Sequence, residues 1–269
     1  MQLTNLYCSH CMQLITGEYT VAGDKKYHTA CYKNFIELKC TVCRQGISGT
    51  YYNDEWGNNV CARHTLRNCN SCNRIITNPD AKPVNTRYYC TKCMAVAVNS
   101  NVPATAAALK ILNIYTKYGI LNVPVSVPVQ VIDKASLISL SNSVNTGDIL
   151  GLAVTNTTWQ GVQNKNFKHT IYILGGMPLI EFEAVMAHEL LHTWLNQYEV
   201  KMPELEIEGF CNLGSYLILT LNASKHAQIL MKRIKEDKST IYGTGFRQKL
   251  AEVQQKGWLQ FLNDIKNRR

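Results

Sequence analysis

The sequence predicts an α+β chain: a cysteine-rich, metal-bound amino-terminal third followed by a larger domain that runs strands first and helices after. Three observations predict it. Cysteines and histidines recur in regularly spaced pairs up to Cys93, then almost cease. From about Asn99 the composition becomes ordinary, with β-branched stretches giving way to helical ones. Residues 188–192 read His-Glu-Leu-Leu-His within an unbroken helical pattern.

The cysteine pattern is one unit repeated three times. Cys8-x2-Cys11 is followed, after sixteen residues, by His28-x2-Cys31. Cys40-x2-Cys43 is followed after seventeen by Cys61-x2-His64, and Cys69-x2-Cys72 after seventeen by Cys90-x2-Cys93. The repeats start 32 and 29 residues apart and use ten of eleven cysteines and two of seven histidines. Each supplies four ligands suited to a tetrahedral zinc, so three structural zinc ions are expected. The intervening residues suit short hairpins, such as Gly49–Tyr52 with Asn58–Val60. His10, inside the first knuckle, reads as a surface residue. The start of the chain shows no basic segment followed by an apolar core, and no apolar run suits a membrane span. A cytoplasmic location with reduced thiols is therefore expected, with metal rather than disulfides explaining the cysteines.

The first two units resemble a LIM domain, a double zinc module that recognises other proteins. Eight residues (Tyr32 to Lys39) separate the two quartets here, where a LIM domain normally has two. The third unit, all thiolate, looks like a zinc ribbon or half of another LIM domain. The expected domains are residues 1–66, 67–98 and 99–269.

In the last domain, Pro103–Tyr118 reads as a helix begun by Pro and stopped by Gly119. Val125–Ile132, Asp148–Thr155 and His169–Leu174 read as strands. Gly175-Gly176-Met177-Pro178 breaks the chain before the motif helix. Helices are then expected at Glu204–Leu221, Lys225–Asp237 and Phe246–Lys266, the last interrupted at Gly257. About 170 residues suffice for an independent core.

The motif helix carries the chemistry. His188 and His192 are one turn apart on one face, placed to hold a single zinc ion, and neighbouring Glu189 is placed to act on water as a base. No Pro or Gly occurs from Leu179 to Gln197. A third ligand is expected from the next helix, which opens Glu204-Leu205-Glu206-Ile207-Glu208-Gly209. Glu204 and Glu208 share a face and Glu206 does not. Glu208 is favoured, because Gly209 beside it would let the helix approach the motif helix closely. That set, His188, His192 and Glu208, defines a gluzincin-like site with one catalytic zinc, hydrolysing peptide bonds of protein substrates. Tyr242, in a glycine-rich turn, is the candidate donor to the developing oxyanion, ahead of Arg247 and His226; its alternative is packing that turn. Thr170–Leu174 is the candidate docking strand, unless it is central in its sheet. Cys211, alone among apolar residues, reads as core. An inert adaptor is the competing function.

Charge points away from nucleic acid. Ten thiolates and four dications lower the formal +9 to about +7. The lysines and arginines are scattered; Lys232-Arg233-Ile234-Lys235 and Lys266-Asn267-Arg268-Arg269 are the densest clusters, with no aromatic-laced basic stripe.

Taken together, the zinc modules, the ribbon and the motif helix resemble the DA-one family, the growth-restricting, ubiquitin-activated peptidases of plants and their bacterial relatives. The matching residues are Ala30-Cys31-Tyr32 with the long gap to Cys40, Asn85-Thr86-Arg87-Tyr88, Ala187–His192, Glu208-Gly209-Phe210-Cys211 and Tyr242–Arg247. The resemblance implies a zinc peptidase with His188, His192 and a downstream Glu as ligands and Glu189 as base. Plant members carry ubiquitin-interacting motifs before the LIM domain, so a short bacterial-type relative lacking them is the expectation.

Overall fold

A computed structural model describes residues 6–64, 66–78, 80–141, 149–160 and 164–268, leaving aside the side chains of Gln160 and Asn164. Asp148, where a strand is expected to begin, the first five residues and Arg269 lie outside this set. The chain divides into two compact units: Met1–Asn68 with Asn73–Ala81, and Cys69–Cys72 with Lys82–Arg269. The third cysteine quartet thus falls wholly within the second unit. Among the described residues no helix is long and apolar enough to cross a membrane.

The first unit repeats one local design. A residue in the left-handed region follows the second cysteine of each knuckle: Met12 (φ 61°), Arg44 (φ 63°) and, after Cys72, Asn73 (φ 56°). This conformation folds the chain back, so Met12 N–H reaches Cys8 O and Arg44 N–H reaches Cys40 O, both at 2.9 Å. Hairpin β1 (Tyr19–Ala22) and β2 (Lys25–His28) delivers His28 at its end, and α1 (Thr29–Cys31) delivers Cys31. A single π turn, Tyr32–Ile36, fills the long gap between quartets. Hairpin β3 (Tyr51–Asn53) and β4 (Asn59–Cys61) pairs Tyr51 with Cys61. The apolar cores are small: Cys8, Ile15 and Tyr27 in one, Cys40, Val60, Cys61 and Ile75 in the other. Such cores cannot hold a fold this size alone, so the quartets must supply much of its stability.

In the second unit, α2 (Thr91–Met94) and β5 (Ala97–Val98) lead into α3 (Asn101–Lys117), which buries Ala104, Ala107, Ala108, Ile111 and Tyr115. Gly119, at φ 78°, ends that helix as expected. Strand β6 is shorter than predicted, Val129–Ile132, because Pro128 interrupts its first half and Pro offers no N–H to a ladder. Helix α4 (Lys134–Ser141) was not anticipated. Strands β7 (Gly151–Gln160) and β8 (Asn164–Leu174) make a hairpin much longer than the predicted strands. Its outer half carries polar residues without apolar alternation, so periodicity gave no signal there.

The sheet order is β6-β8-β7, parallel between β6 and β8 and antiparallel between β8 and β7. Thr170–Leu174 therefore lies at the centre of the sheet. It cannot dock a substrate edge-on, and the sequence-based docking strand is corrected on that ground. Strand β9 (Met177–Pro178) pairs with β5 and hands the chain to α5 (Leu179–Gln197), which carries the motif along the stretch free of Pro and Gly. Helices α6 (Glu204–Thr220), α7 (Lys225–Glu236), α8 (Gly245–Lys256) and α9 (Trp258–Lys266) complete the unit. One π turn, Thr240–Thr244, precedes α8.

Candidate metal centre

Helix α5 is buried along most of its length, including Phe182, Met186, Ala187, Leu190, Leu191, Trp194 and Leu195. Helix α6 packs against it with small residues at the contact. A Cβ on Gly214 would come 2.7 Å from Leu191 Cδ1 and 3.2 Å from Ala187 O. Gly209, expected to serve this approach, instead faces α8: its Cβ would stand 2.3 Å from Gly245 O. The close packing of α6 on the motif helix comes from Gly214, and Gly209 admits the start of α8.

This packing brings His188, His192 and Glu208 together. The two Nε2 atoms are 3.1 Å apart, and Glu208 Oε2 and Oε1 lie 3.0 Å and 3.4 Å from those of His188 and His192. His188 Nδ1 is 3.0 Å from Asn212 Oδ1, so it carries the ring proton and Nε2 carries a lone pair. Glu208 Oε2 is buried and accepts no hydrogen bond. Electron-rich atoms that converge without protons between them repel unless a cation is shared. Ligands about 2.0–2.1 Å from a tetrahedral zinc stand about 3.3 Å apart, close to the spacing found. The residues therefore fit a divalent metal.

Cys211 places its sulfur within 4.8 Å of ligand atoms of both histidines. Burial, with the charges of Glu208 and Glu189, pushes its thiol well above the ordinary value, so it remains protonated. A protonated thiol is a poor ligand. Glu208, at hydrogen-bonding distance from both rings, is the better third donor.

Glu189 is buried beside this cluster, and burial pushes its carboxyl up to about 7, with Glu208 adding to the shift and His192 and the backbone N–H of Ala153 opposing it. Gly151, on the same strand, lies against the Glu189 side chain. The outer edge of β7 thus borders the site. Because Leu174 N–H bonds Leu150 O, alternate residues of β7 face β8, which leaves Gly151, Ala153 and Thr155 turned outward. Tyr242 sits in the π turn before α8, half exposed, where Glu208 and Glu189 charges reach its phenol. Burial, ahead of those charges, pushes it up to about 12, so the hydroxyl is a donor at neutral pH. His226 bonds Ser71, and Arg247 donates to the carbonyl of Asp237. Both are engaged structurally. Asn212, Gly151 and Ala153 were missed in the sequence; only Asn212 left a signal, four residues after Glu208 on one helical face.

The three amino-terminal quartets also assemble. The ligand atoms of Cys8, Cys11, His28 and Cys31, of Cys40, Cys43, Cys61 and His64, and of Cys69, Cys72, Cys90 and Cys93 lie within 4.8 Å of one another in each set. None of these cysteines forms a disulfide. His28 Nε2 bonds Leu14 O, leaving Nδ1 beside Cys11 Sγ at 3.4 Å. Although burial opposes it, backbone N–H groups of the knuckles aimed at the sulfurs bring Cys8 and Cys40 down to about 6. That eases thiolate formation. The third quartet is pinned to the helices of its own unit. Arg233 donates to the carbonyls of Asn70 and Ser71, and Arg87 donates to Asn70 O and to Glu181 of α5.

Residues 129–228 match the DA1-like family model (Protein DA1), and residues 8–68 match the LIM domain model. Among curated relatives, the LIM domain-containing protein HDR3 of Oryza sativa subsp. japonica is 23% identical over 342 residues, covering 96% of this chain and 67% of that protein. Protein DA1 of Arabidopsis thaliana is 23% identical over 333 residues, covering 96% of this chain and 61% of its own length. Protein DA1-related 2 of the same plant is 25% identical over 263 residues, covering 79% and 48%. The chain thus spans between about half and two thirds of these relatives. No solved structure matches it significantly.

Proposed function

We propose that this chain is a zinc-dependent endopeptidase that hydrolyses protein substrates, with His188, His192 and Glu208 holding the catalytic metal. The observation that carries the reading is the convergence of two imidazole nitrogens and a carboxylate within 3.4 Å, beside a buried carboxyl that belongs to neither bond. When bound, zinc supplies a Lewis acid and lowers the pKa of a coordinated water towards about 7. Glu189 takes the proton from the attacking water and passes it to the departing amine. Its burial matches that task, because a carboxyl near 7 both accepts and returns a proton at neutral pH. The Ala153 N–H fixes the direction in which Glu189 points. Tyr242 donates its phenolic hydrogen to the carbonyl oxygen as charge develops there. An extended substrate lies along the outer edge of β7, pairing with Gly151, Thr155 and the carbonyl of Ala153 in place of the predicted Thr170–Leu174.

The three Cys/His quartets hold structural zinc, for four ions in all. The LIM domain recruits a protein partner or substrate, and ten metal-spaced thiols suit a reducing, cytoplasmic setting. The test is Glu189→Gln in the full chain, incubated with denatured protein. Cleavage is expected to vanish while all zinc is retained. Undiminished cleavage by that variant would overturn the assignment, and a wild-type chain that cleaves nothing would favour an adaptor.

A further inference from the structure

Glu208 and Asn212 are four residues apart on α6 and both turn toward the motif helix. The Asn212 amide makes two bonds. Its Oδ1 accepts from His188 Nδ1 at 3.0 Å, and its Nδ2 donates to the backbone carbonyl of Tyr242 at 3.4 Å. The pair fixes the amide's orientation, since the flipped form would set an NH2 against a ring N–H and an oxygen against a carbonyl. An imidazole on its own exchanges between tautomers, and the wrong one would aim an N–H at Glu208 and His192.

We propose that Asn212 is a positioning residue. It locks His188 in the tautomer and plane that present Nε2 to the metal, and the same amide ties the turn carrying Tyr242 to that face of α6. One side chain thereby couples a ligand's donor strength to the placement of the phenol. The inference rests on the metal-centre reading. It adds that the centre has a protein-built second layer reaching from α6 to the turn before α8.

Two full-length variants test it, Asn212→Leu and Asn212→Asp, with zinc affinity measured by competition against a chromophoric chelator and kcat and KM measured separately. The leucine variant is expected to hold its most weakly bound zinc about 10–100-fold less tightly. The aspartate variant keeps an acceptor opposite Nδ1 but has no Nδ2 donor. It should bind zinc at least as tightly as wild type while kcat falls and KM stays. Should the leucine chain fail to fold, the aspartate variant decides alone.

Zinc held equally well in the leucine variant, or lost equally in both, overturns the proposal. Full kcat in the aspartate variant overturns the link to Tyr242. A zinc count unchanged by His188→Ala would instead sink the metal-centre reading, whereas a zinc there that ignores Asn212 sinks only this inference.

Discussion

Gly151 of β7 lies so close to Glu189 of α5 that a Cβ at position 151 would stand 2.6 Å from Glu189 Oε1 and 2.8 Å from Cγ. The backbone at Gly151 is ordinary strand, so alanine is conformationally tolerated there. The Glu189 side chain must move, and Val185 Cγ1, 2.8 Å from the added carbon, must give way with it. Gly151→Ala is expected to lower kcat on the order of 100-fold through displacement of the base, with zinc content and Tm near wild type. Equal turnover in the two proteins would show that Glu189 need not sit where it does.

Tyr242 should act in the transition state and hardly at all in binding. Tyr242→Phe removes only the hydroxyl of a half-exposed ring. We expect kcat to drop on the order of 100-fold, with KM and zinc content little changed. A KM effect alone would make Tyr242 a substrate-binding residue.

The third quartet should stabilise the helical unit, because Cys69–Cys72 belongs to it. Cys90→Ser is expected to cost on the order of 4 kcal/mol, lowering Tm by roughly 10 °C in the transition followed by helical circular dichroism. An unchanged helical transition would contradict this.

Arg87 and Glu181 form a buried pair at 2.7 Å, with side chains only 7% and 5% exposed. Arg87→Ala leaves Glu181 with Arg233 as its remaining cation, at 3.8 Å. The expected loss is about 3 kcal/mol in urea unfolding. A loss below about 1 kcal/mol would mean that Arg233 or water compensates.

In the first unit, Asp54 accepts bonds from the backbone of Trp56, Asn58 and Ile75 and from the Asn58 side chain. Its burial raises the carboxyl, but these bonds outweigh that and hold it below the ordinary value. The stabilisation is therefore present above the unfolded value near 3.9 and is lost as pH falls through the lower folded one. Asp54→Asn should cost about 1–3 kcal/mol at neutral pH, a difference that shrinks in acid. A gap that widens on acidification would reverse the assigned sign.

Much of this architecture was legible in the residues, for local reasons. A CxxC pair declares its own turn, and the helix of His188 and His192 lacks any breaker from Leu179 to Gln197. For the candidate centre, helical spacing sets Glu204 and Glu208 apart from Glu206, but the ground for preferring Glu208, a close approach at Gly209, is not the one the packing supplies. Long-range information was less accessible. Nothing near Thr170 says that a parallel neighbour, β6, occupies its other edge. Nothing near Gly209 says that Gly245, rather than the motif helix, comes against it. The outer half of the β7–β8 hairpin is exposed on both faces and shows no alternation to read.

The reach of the third knuckle has a consequence for synthesis. Each quartet of the first unit closes within a short stretch of chain and can be completed soon after it leaves the ribosome. Ser71, by contrast, finds His226 across 155 residues, and the Asn70 carbonyl finds Arg233 across 163. The helical unit cannot finish until Arg233 has emerged, so its nascent form leaves thiols and apolar surface uncovered for longer than the first unit does. Metal supply and chaperone protection during translation should therefore limit the yield of this unit more than that of the first.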